Sequence, residues 1–400
     1  MIALKIVFFI VTGYYVFSSL YVLIYSVAGL FYKDPVFKKA GRHRKIAIFV
    51  PAYKTDEVIE ELADNVLLQD YPNFDLIIIA DSLSEDVVHR LKQKPLKLMP
   101  FRDDNRTKAL ALNTIMAKLP DDYEIALILD ADNLIQSRDY LSRLNDIFES
   151  GVQAIQTHRA AKNTNTVLAL LDAVSEEINN HIFRRGHAAL GASSALMGSA
   201  MAFDYRLFKE QMHDISSSGE DKDLEMKLLD MNISIMYHDG MVILDEKTQH
   251  AGSFVQQRAR WIANQLLQAK NNTGKVFKHL FRGNLNFLDK VLQHLMLPRL
   301  FLIASVFVLS LLAMFFLYGM YSTIWIFILV ITYFSILISI PKRMYTIELL
   351  KSVLYLPQAV LLMLCSLFKM KDATKKFVAT EHHAVHSNDT LKIDNDENRN

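Results

Sequence analysis

The chain has 400 residues, 51% of them hydrophobic, and a formal net charge of +1. That length exceeds one compact domain, and the near-neutral balance lacks the basic excess that nucleic-acid binding uses to neutralise phosphates. The single cysteine, Cys365, excludes an intrachain disulfide and, inside an apolar run, reads as a small buried hydrophobe.

From Ile6 to Tyr32 no charge appears. The run is long enough for a bilayer of ~30 Å and much longer than the ~7–15-residue core of a signal peptide. Residues 1–33 therefore read as a retained transmembrane anchor. Lys33, Lys38, Lys39, Arg42, Arg44 and Lys45 follow it. Between about residues 44 and 282 the pattern alternates. The strand-like runs are "KIAIFVPAY", "DLIIIAD", "LKLMPF", "EIALILDAD" and "VQAIQTH". Helical patterns separate several of them, the first with Thr55 or Asp56 as its expected N-cap. Apolar strands separated by helices predict a doubly wound α/β domain.

Residues 283–298 ("NFLDKVLQHLMLP") read as an interfacial helix. Residues 299–341 fit two spans at ~20 residues each, joined by the turn "LYGMYST". Arg299, Lys342 and Arg343 flank them, so the basic flanks place the middle of the chain in the cytoplasm and the turn outside. Residues 342–370, with Glu348, Lys351 and Pro357, read as interfacial or re-entrant helices, and 371–400 as a polar, disordered tail.

Two strand-like runs end in carboxylates: Asp81 closes "DLIIIAD", and Asp130 and Asp132 close "EIALILDAD". Ligands of such sheets bind beyond the carboxyl ends of the strands. Residues i and i+2 of an extended chain share a face. Asp130 and Asp132 are thus expected to face a cation, and one or two carboxylates plus a substrate diphosphate are the usual magnesium arrangement.

The order "VPAYK", "IIIADSLSED", "NRTKALALN", "LDADN", "GEDKDLEMKLL", "QQRARW" over residues 44–268 resembles the membrane-bound family-2 glycosyltransferases, which include cellulose, chitin and hyaluronan synthases. The resemblance implies a GT-A-like fold for the cytoplasmic domain. On the donor side it implies Pro51 and Ala52 in the first strand-to-helix loop, Asp81 at the nucleotide base and Lys108 near the diphosphate. Asp132 would bind Mg2+ or Mn2+, and Asp130 the ribose or the ion. Asp221 would be the general base, supported by Glu220, with Gly219 standing where several relatives have threonine. In "QQRARW", Gln257 and Arg260 would meet the diphosphate and Trp261 would underlie the acceptor sugar, all on one helical face. Gly198 and Ser199 resemble an acceptor-side loop, and His158 and Arg159, which follow a strand, would approach the diphosphate.

The implied reaction is inverting transfer from a UDP-sugar to a growing polysaccharide at the cytoplasmic face of a bacterial plasma membrane. The alternatives are a single addition to a lipid-linked acceptor, and a sugar nucleotidyltransferase. The latter class opens with a glycine-rich loop, and "IAIFVPAYKTDE" has no glycine. Three spans are too few to enclose a polymer channel, so polymer secretion implies a homodimer or a secretion partner.

Overall fold

The computed structural model describes residues 2–103 and 107–373. Its α/β domain is built on strands β1 (Ile46–Tyr53), β2 (Phe74–Asp81), β3 (Lys97–Pro100), β4 (Ile125–Ile128), β5 (Leu134–Ile135), β6 (Ala154–Ala161), β7 (Met201–Asp204) and β8 (Met236–Asp245). They form one sheet in the order β3-β2-β1-β4-β7-β6-β8-β5. The half β3-β2-β1-β4 is parallel, as expected for apolar runs that helices cover on both faces. Along β1, Ile46, Ile48 and Val50 enter one core layer while Ala47 and Phe49 enter the other. Beyond β4 the sheet is mixed: β7 is antiparallel to both β4 and β6, β6 and β8 are parallel, and β5 is antiparallel to β8.

Two local expectations change. Pro51 and Ala52 belong to β1 itself and not to the loop after it. The proline is tolerated because β4 has already ended opposite Phe49, so its missing N–H removes no ladder bond on that side. Neither Thr55 nor Asp56 caps the first helix of the domain, Ile59–Leu67. Thr55 instead closes a tight turn through its carbonyl, and Asp56 accepts the Ser84 N–H.

Four stretches are long and apolar enough to cross a membrane: Lys5–Gly29, Arg299–Phe316, Met320–Ile338 and Ile347–Met370. The N-terminal helix, Ile2–Gly29, packs on Met320–Ile338 and on a π-helical turn of the domain, His181–Gly186. A Cβ at Gly186 would lie 2.2 Å from the Tyr25 carbonyl oxygen, so only glycine permits this backbone contact. Tyr25 then stacks on His187 at 3.7 Å, and the Tyr21 hydroxyl donates to Asp289 at 2.6 Å. After a short helix, Ile347–Ser352, the helix Leu356–Ala373 runs along the helix Ala251–Thr273. Cys365 is exposed on it and not buried, because the helix packs through Ala359, Met363 and Ser366 on its other side. The tail expected to be disordered lies, from residue 374, outside the described residues.

Candidate active site

A cavity of about 840 Å³ opens where β1, β2 and β4 end. Its wall contains Pro51, Ala52, Asp81, Lys108, Asp130, Asp132, Gly198, Glu220, Asp221, Gln257, Arg260 and Trp261. These come from separate parts of the chain, and the topology gathers them. The registers Pro51↔Ile79 and Tyr53↔Asp81 bring β1 and β2 to a common end, with Asp81 buried and held by the Ser82 hydroxyl at 2.8 Å.

The Asp130–Asp132 segment is not extended. The Asn133 N–H donates to the Asp130 carbonyl at 3.1 Å, closing a turn, and the Asn133 carboxamide accepts the Asp130 N–H at 3.0 Å. The two carboxylates therefore meet different partners. Asp130 accepts from Lys108 Nζ at 2.5 Å, whereas Asp132, buried, accepts from Asn133 Nδ2 at 3.2 Å. Burial pushes the Asp130 carboxyl up, but the Lys108 ammonium overrides it and holds the group below its usual range. For Lys108 the signs reverse: burial works against its charge, and Asp130 and Glu220 raise it overall.

Lys108 also joins two sides of the cavity. It donates to the Gly198 carbonyl at 2.7 Å and stands 3.8 Å from Glu220. Glu220 and Asp221 open the helix Glu220–Asp230. Burial pushes the Glu220 carboxyl up to about 7, Lys108 opposes this, and Asp221 adds to it. Gly198 has φ +85°, and a Cβ there would come within 3.9 Å of Asp221 Oδ2. Ser199 lies behind the wall and not on it, fully buried, with its hydroxyl accepting from Arg159 at 3.3 Å. Gly219 has a packing reason to replace threonine: a Cβ would lie 2.4 Å from the Asn264 side chain.

Gln257, Arg260 and Trp261 share one face of the helix Ala251–Thr273 and reach the cavity together. The Gln257 Oε1 atom is buried without a hydrogen-bond partner among the described residues, a position that a ligand hydroxyl or N–H can complete. Trp261 is 40% exposed, and the Arg258 guanidinium lies 4.2 Å from its ring centre.

Several residues, and the partners of Arg159, escaped sequence reasoning. Arg258 pairs with Asp172, and a buried network joins Arg159 and Lys247 to Glu176 and Asp245. Asn133 Nδ2 ties this network to the aspartate turn through Asp245 Oδ1 at 3.0 Å. Glu176 lies 71 residues from Lys247, so local spacing carries no trace of the pair. The one available signal was "LDEKTQH", charges ending an apolar run just before "QQRARW". His158 faces away from the cavity. Its ring meets the Tyr237 hydroxyl, Asp239 and Glu177 at 2.8, 2.9 and 3.1 Å. Burial lowers its pKa, but the two carboxylates raise it overall to about 9.

Among the described residues no group of three or more His, Cys, Asp and Glu side chains could hold a metal by itself. The donor set fits a hard cation that takes only one or two carboxylates from the protein and the rest from a bound diphosphate and water. Asp132 is the candidate ligand; Asp130 is already committed to Lys108.

The chain has similar sequences and a similar fold among known proteins. A poly-β-1,6-N-acetyl-D-glucosamine synthase of Staphylococcus epidermidis is 22% identical over 260 residues, which are 62% of this chain and 63% of that protein. The Staphylococcus aureus (strain COL) protein of the same name is 24% identical over 226 residues, 54% and 53% of the two chains. The chain thus spans between half and two thirds of the length of the curated relatives it matches. Among solved structures, the mannosyltransferase PcManGT from Pyrobaculum calidifontis, in complex with GDP-Man and Mn2+, superimposes with a TM-score of 0.51 at 18% identity. That superposition covers 82% of this chain and 97% of that one, and it shows a shared fold. The model of "Glycosyltransferase like family 2" matches residues 43–264, more than half of the chain, and the chain belongs to that family.

Proposed function

We propose that this protein transfers a sugar, with inversion, from a UDP-sugar to a hydroxyl of a growing saccharide. The observation that carries the reading is the meeting, in one cavity, of two carboxylate groups. Asp81, Asp130 and Asp132 stand at strand ends, and Glu220–Asp221 stand on a separate helix. In this reading Asp81 receives the nucleotide base. Lys108, Gln257 and Arg260 face the diphosphate, Asp132 would hold Mg2+ or Mn2+, and Trp261 underlies the acceptor ring. A divalent cation there supplies positive charge against the departing diphosphate.

The chain's own residues do the rest. Asp221 takes the proton of the acceptor hydroxyl as that oxygen bonds to the anomeric carbon. The bond from that carbon to the diphosphate breaks on the opposite face, and its electron pair leaves with UDP. Lys108, already charged and fixed between Asp130 and the Gly198 carbonyl, needs no rearrangement to meet the new negative charge. The names of the staphylococcal relatives support N-acetylglucosamine as the donor sugar and a polysaccharide as the product. The apolar helices and their basic flanks support a plasma-membrane location with the cavity on the cytoplasmic side.

The test is nucleotide release by the detergent-solubilised protein from a panel of UDP-sugars, with and without Mg2+ or Mn2+, beside Asp221→Asn. Metal-dependent release from one donor, lost in the variant while donor binding persists, is the expected result. Release by Asp221→Asn at the wild-type rate would remove Asp221 as the base. A protein that binds no UDP-sugar would remove the donor assignment.

A further inference from the structure

The helix Val167–Asn180 carries no residue of the site proposed above, yet cations from widely separated elements converge on it. One of them, Arg299, opens the helix Arg299–Phe316, where its charge meets the positive end of the helix dipole. Its own helix therefore gives it no reason to stand there. The guanidinium donates instead to Asn179 Oδ1 at 2.6 Å and to the Ser175 carbonyl and hydroxyl at 2.7 and 2.5 Å. Arg343, just beyond the helix Met320–Ile338, meets Glu177 at 3.1 Å. The ends of two membrane-length helices are thus bonded to one helix beside the sheet.

Asp172, Ser175 and Asn179 stand at i, i+3 and i+7 of that helix and all reach the cavity wall. A face that borders a cavity lacks packed side chains to fix it there, so these polar contacts set its position. Asp172 pairs with Arg258. The Arg258 guanidinium lies 4.8 Å from the ring centre of Phe254 and 4.2 Å from that of Trp261, one helical stripe. A guanidinium at that distance is attracted to an indole face. Trp261 makes no hydrogen bond and no other ring or cation contact with any described residue. The helix Val167–Asn180 also reaches the aspartate side, through Glu176. There, however, Arg159 and Lys247 have Asp245 as a second carboxylate, at 3.5 and 2.7 Å, and the β6–β8 ladder holds Arg159.

We infer that the helix Val167–Asn180 transmits the seating of the membrane-length helices to the acceptor platform. Arg299 fixes the helix, Asp172 on it holds Arg258, and Arg258 holds the Trp261 ring at the cavity wall. Arg299, Asp172 and Arg258 are positioning residues; none of them exchanges a bond in the reaction. The acceptor role of Trp261 rests on the glycosyltransferase reading above, whereas the link from Arg299 to the indole stands on the contacts alone.

The experiment uses the full chain in detergent with Trp325→Phe, which leaves Trp261 as its one tryptophan. Acrylamide quenching of Trp261 is measured beside UDP-N-acetylglucosamine binding and UDP release in the presence of a soluble N-acetylglucosamine trisaccharide. Asp172→Asn and Arg299→Gln should each raise the quenching constant by about 1.5-fold or more, as the ring loses its cation. Arg299 is a like charge near Arg258, so its loss alone would tighten the hold of Asp172 on Arg258; an increase marks movement of the helix. The two variants combined should match the larger single effect, because they act in series. Arg299→Lys should behave as Arg299→Gln, since one ammonium cannot span Ser175 and Asn179 as the planar fork does. UDP release should fall about fivefold or more in each variant, with donor affinity and Mn2+ half-saturation within about twofold of the parent. Full rescue by lysine would reduce Arg299 to a boundary charge and overturn the link. An unchanged quenching constant in Arg299→Gln, or effects that multiply in the double variant, would overturn it too. A parent protein that binds no UDP-N-acetylglucosamine would instead strike the transferase reading and the acceptor role of Trp261, while the quenching series still decides the link.

Discussion

Replacing Glu225 with glutamine tests whether charge buried near Asp221 is held as the structure indicates. Glu225 has no accessible surface, yet Lys290 Nζ lies 2.7 Å from one carboxylate oxygen and Lys222 Nζ 3.2 Å from the other. Burial alone would push its carboxyl up; Lys222 and Lys290 reverse this and hold it at about 2 instead of 4.5. At about 1.4 kcal/mol per tenfold change, that displacement corresponds to about 3 kcal/mol of stability. Because the folded-state value is depressed, the contribution is complete above the unfolded value and is lost as pH falls towards about 2. Removing one partner of a buried pair costs ~3–5 kcal/mol, so Glu225→Gln should lose about 3–4 kcal/mol at pH 7. Denaturant unfolding in detergent, followed by tryptophan fluorescence, measures it. The gap between variant and wild type should shrink to about half by pH 3. Activity should fall too, since Lys222, 3.7 Å from Asp221 Oδ2, then has that base as its remaining carboxylate. A loss below ~1 kcal/mol, or a gap that does not change with pH, would refute the reasoning.

Gly219→Thr should destabilise the start of the Glu220–Asp230 helix and abolish release, and Asn264→Ala added to it should restore both, because Asn264 occupies the space a Cβ needs. His158→Gln should cost about 3 kcal/mol at neutral pH. The wild-type advantage should be fully present below the unfolded value of 6.5 and fade as pH rises through about 9, as read by unfolding across that range. Lys108→Met should weaken donor binding and push Glu220 further above about 7, moving the acid limb of the pH–rate profile upward; a limb that stays in place would show that Glu220 does not govern it. Asp132→Asn should make donor affinity insensitive to Mg2+ and Mn2+ in a filter-binding assay, with folding retained because the Asn133 contact can be kept.

The parallel half of the sheet was legible because β1, β2 and β4 are apolar runs with both faces covered, and acids stand at the ends of β2 and β4. The rest of the sheet was not. β7 is only "MAFD", and β8 is interrupted near Asp239–Gly240, where its register against β6 shifts between Thr157 and His158. Period-two reasoning also failed at Asp130–Asp132, since the asparagine after them turns the chain. Asp130, Lys108 and Arg159 were each readable, but their pairings were not: Lys108 reaches Asp130, and Arg159 and Lys247 reach Glu176 and Asp245, only through tertiary packing. Ser199 shows the same limit from the other side. A motif position adjacent to Gly198 turns inward, where its hydroxyl accepts from the buried Arg159 guanidinium.

The two halves of the cavity rest on different foundations. Asp81, Asp130 and Asp132 are fixed by the ends of a buried parallel sheet, whose ladders set their spacing. Asp221 is fixed by the helix Ala251–Thr273, which meets its helix through Asn264 against Gly219 and through Gln268 donating to Asp223. One residue on from Asn264, Gln265 donates to the carbonyls of Met296 and His294, at the end of the helix Leu285–Leu295. The opposite contact of Ala251–Thr273 is with the apolar helix Leu356–Ala373. Asp221, together with Gln257, Arg260 and Trp261 on Ala251–Thr273, is therefore mounted on elements that border the membrane-length helices, and the strand-end aspartates are not. Lys108 crosses the seam, bonded to Asp130 on one side and to the Gly198 carbonyl on the other. A change confined to the membrane-proximal helices should thus alter turnover before it alters the Mg2+ or Mn2+ dependence of donor affinity, which falls to the strand-end aspartates. That order separates the two halves experimentally.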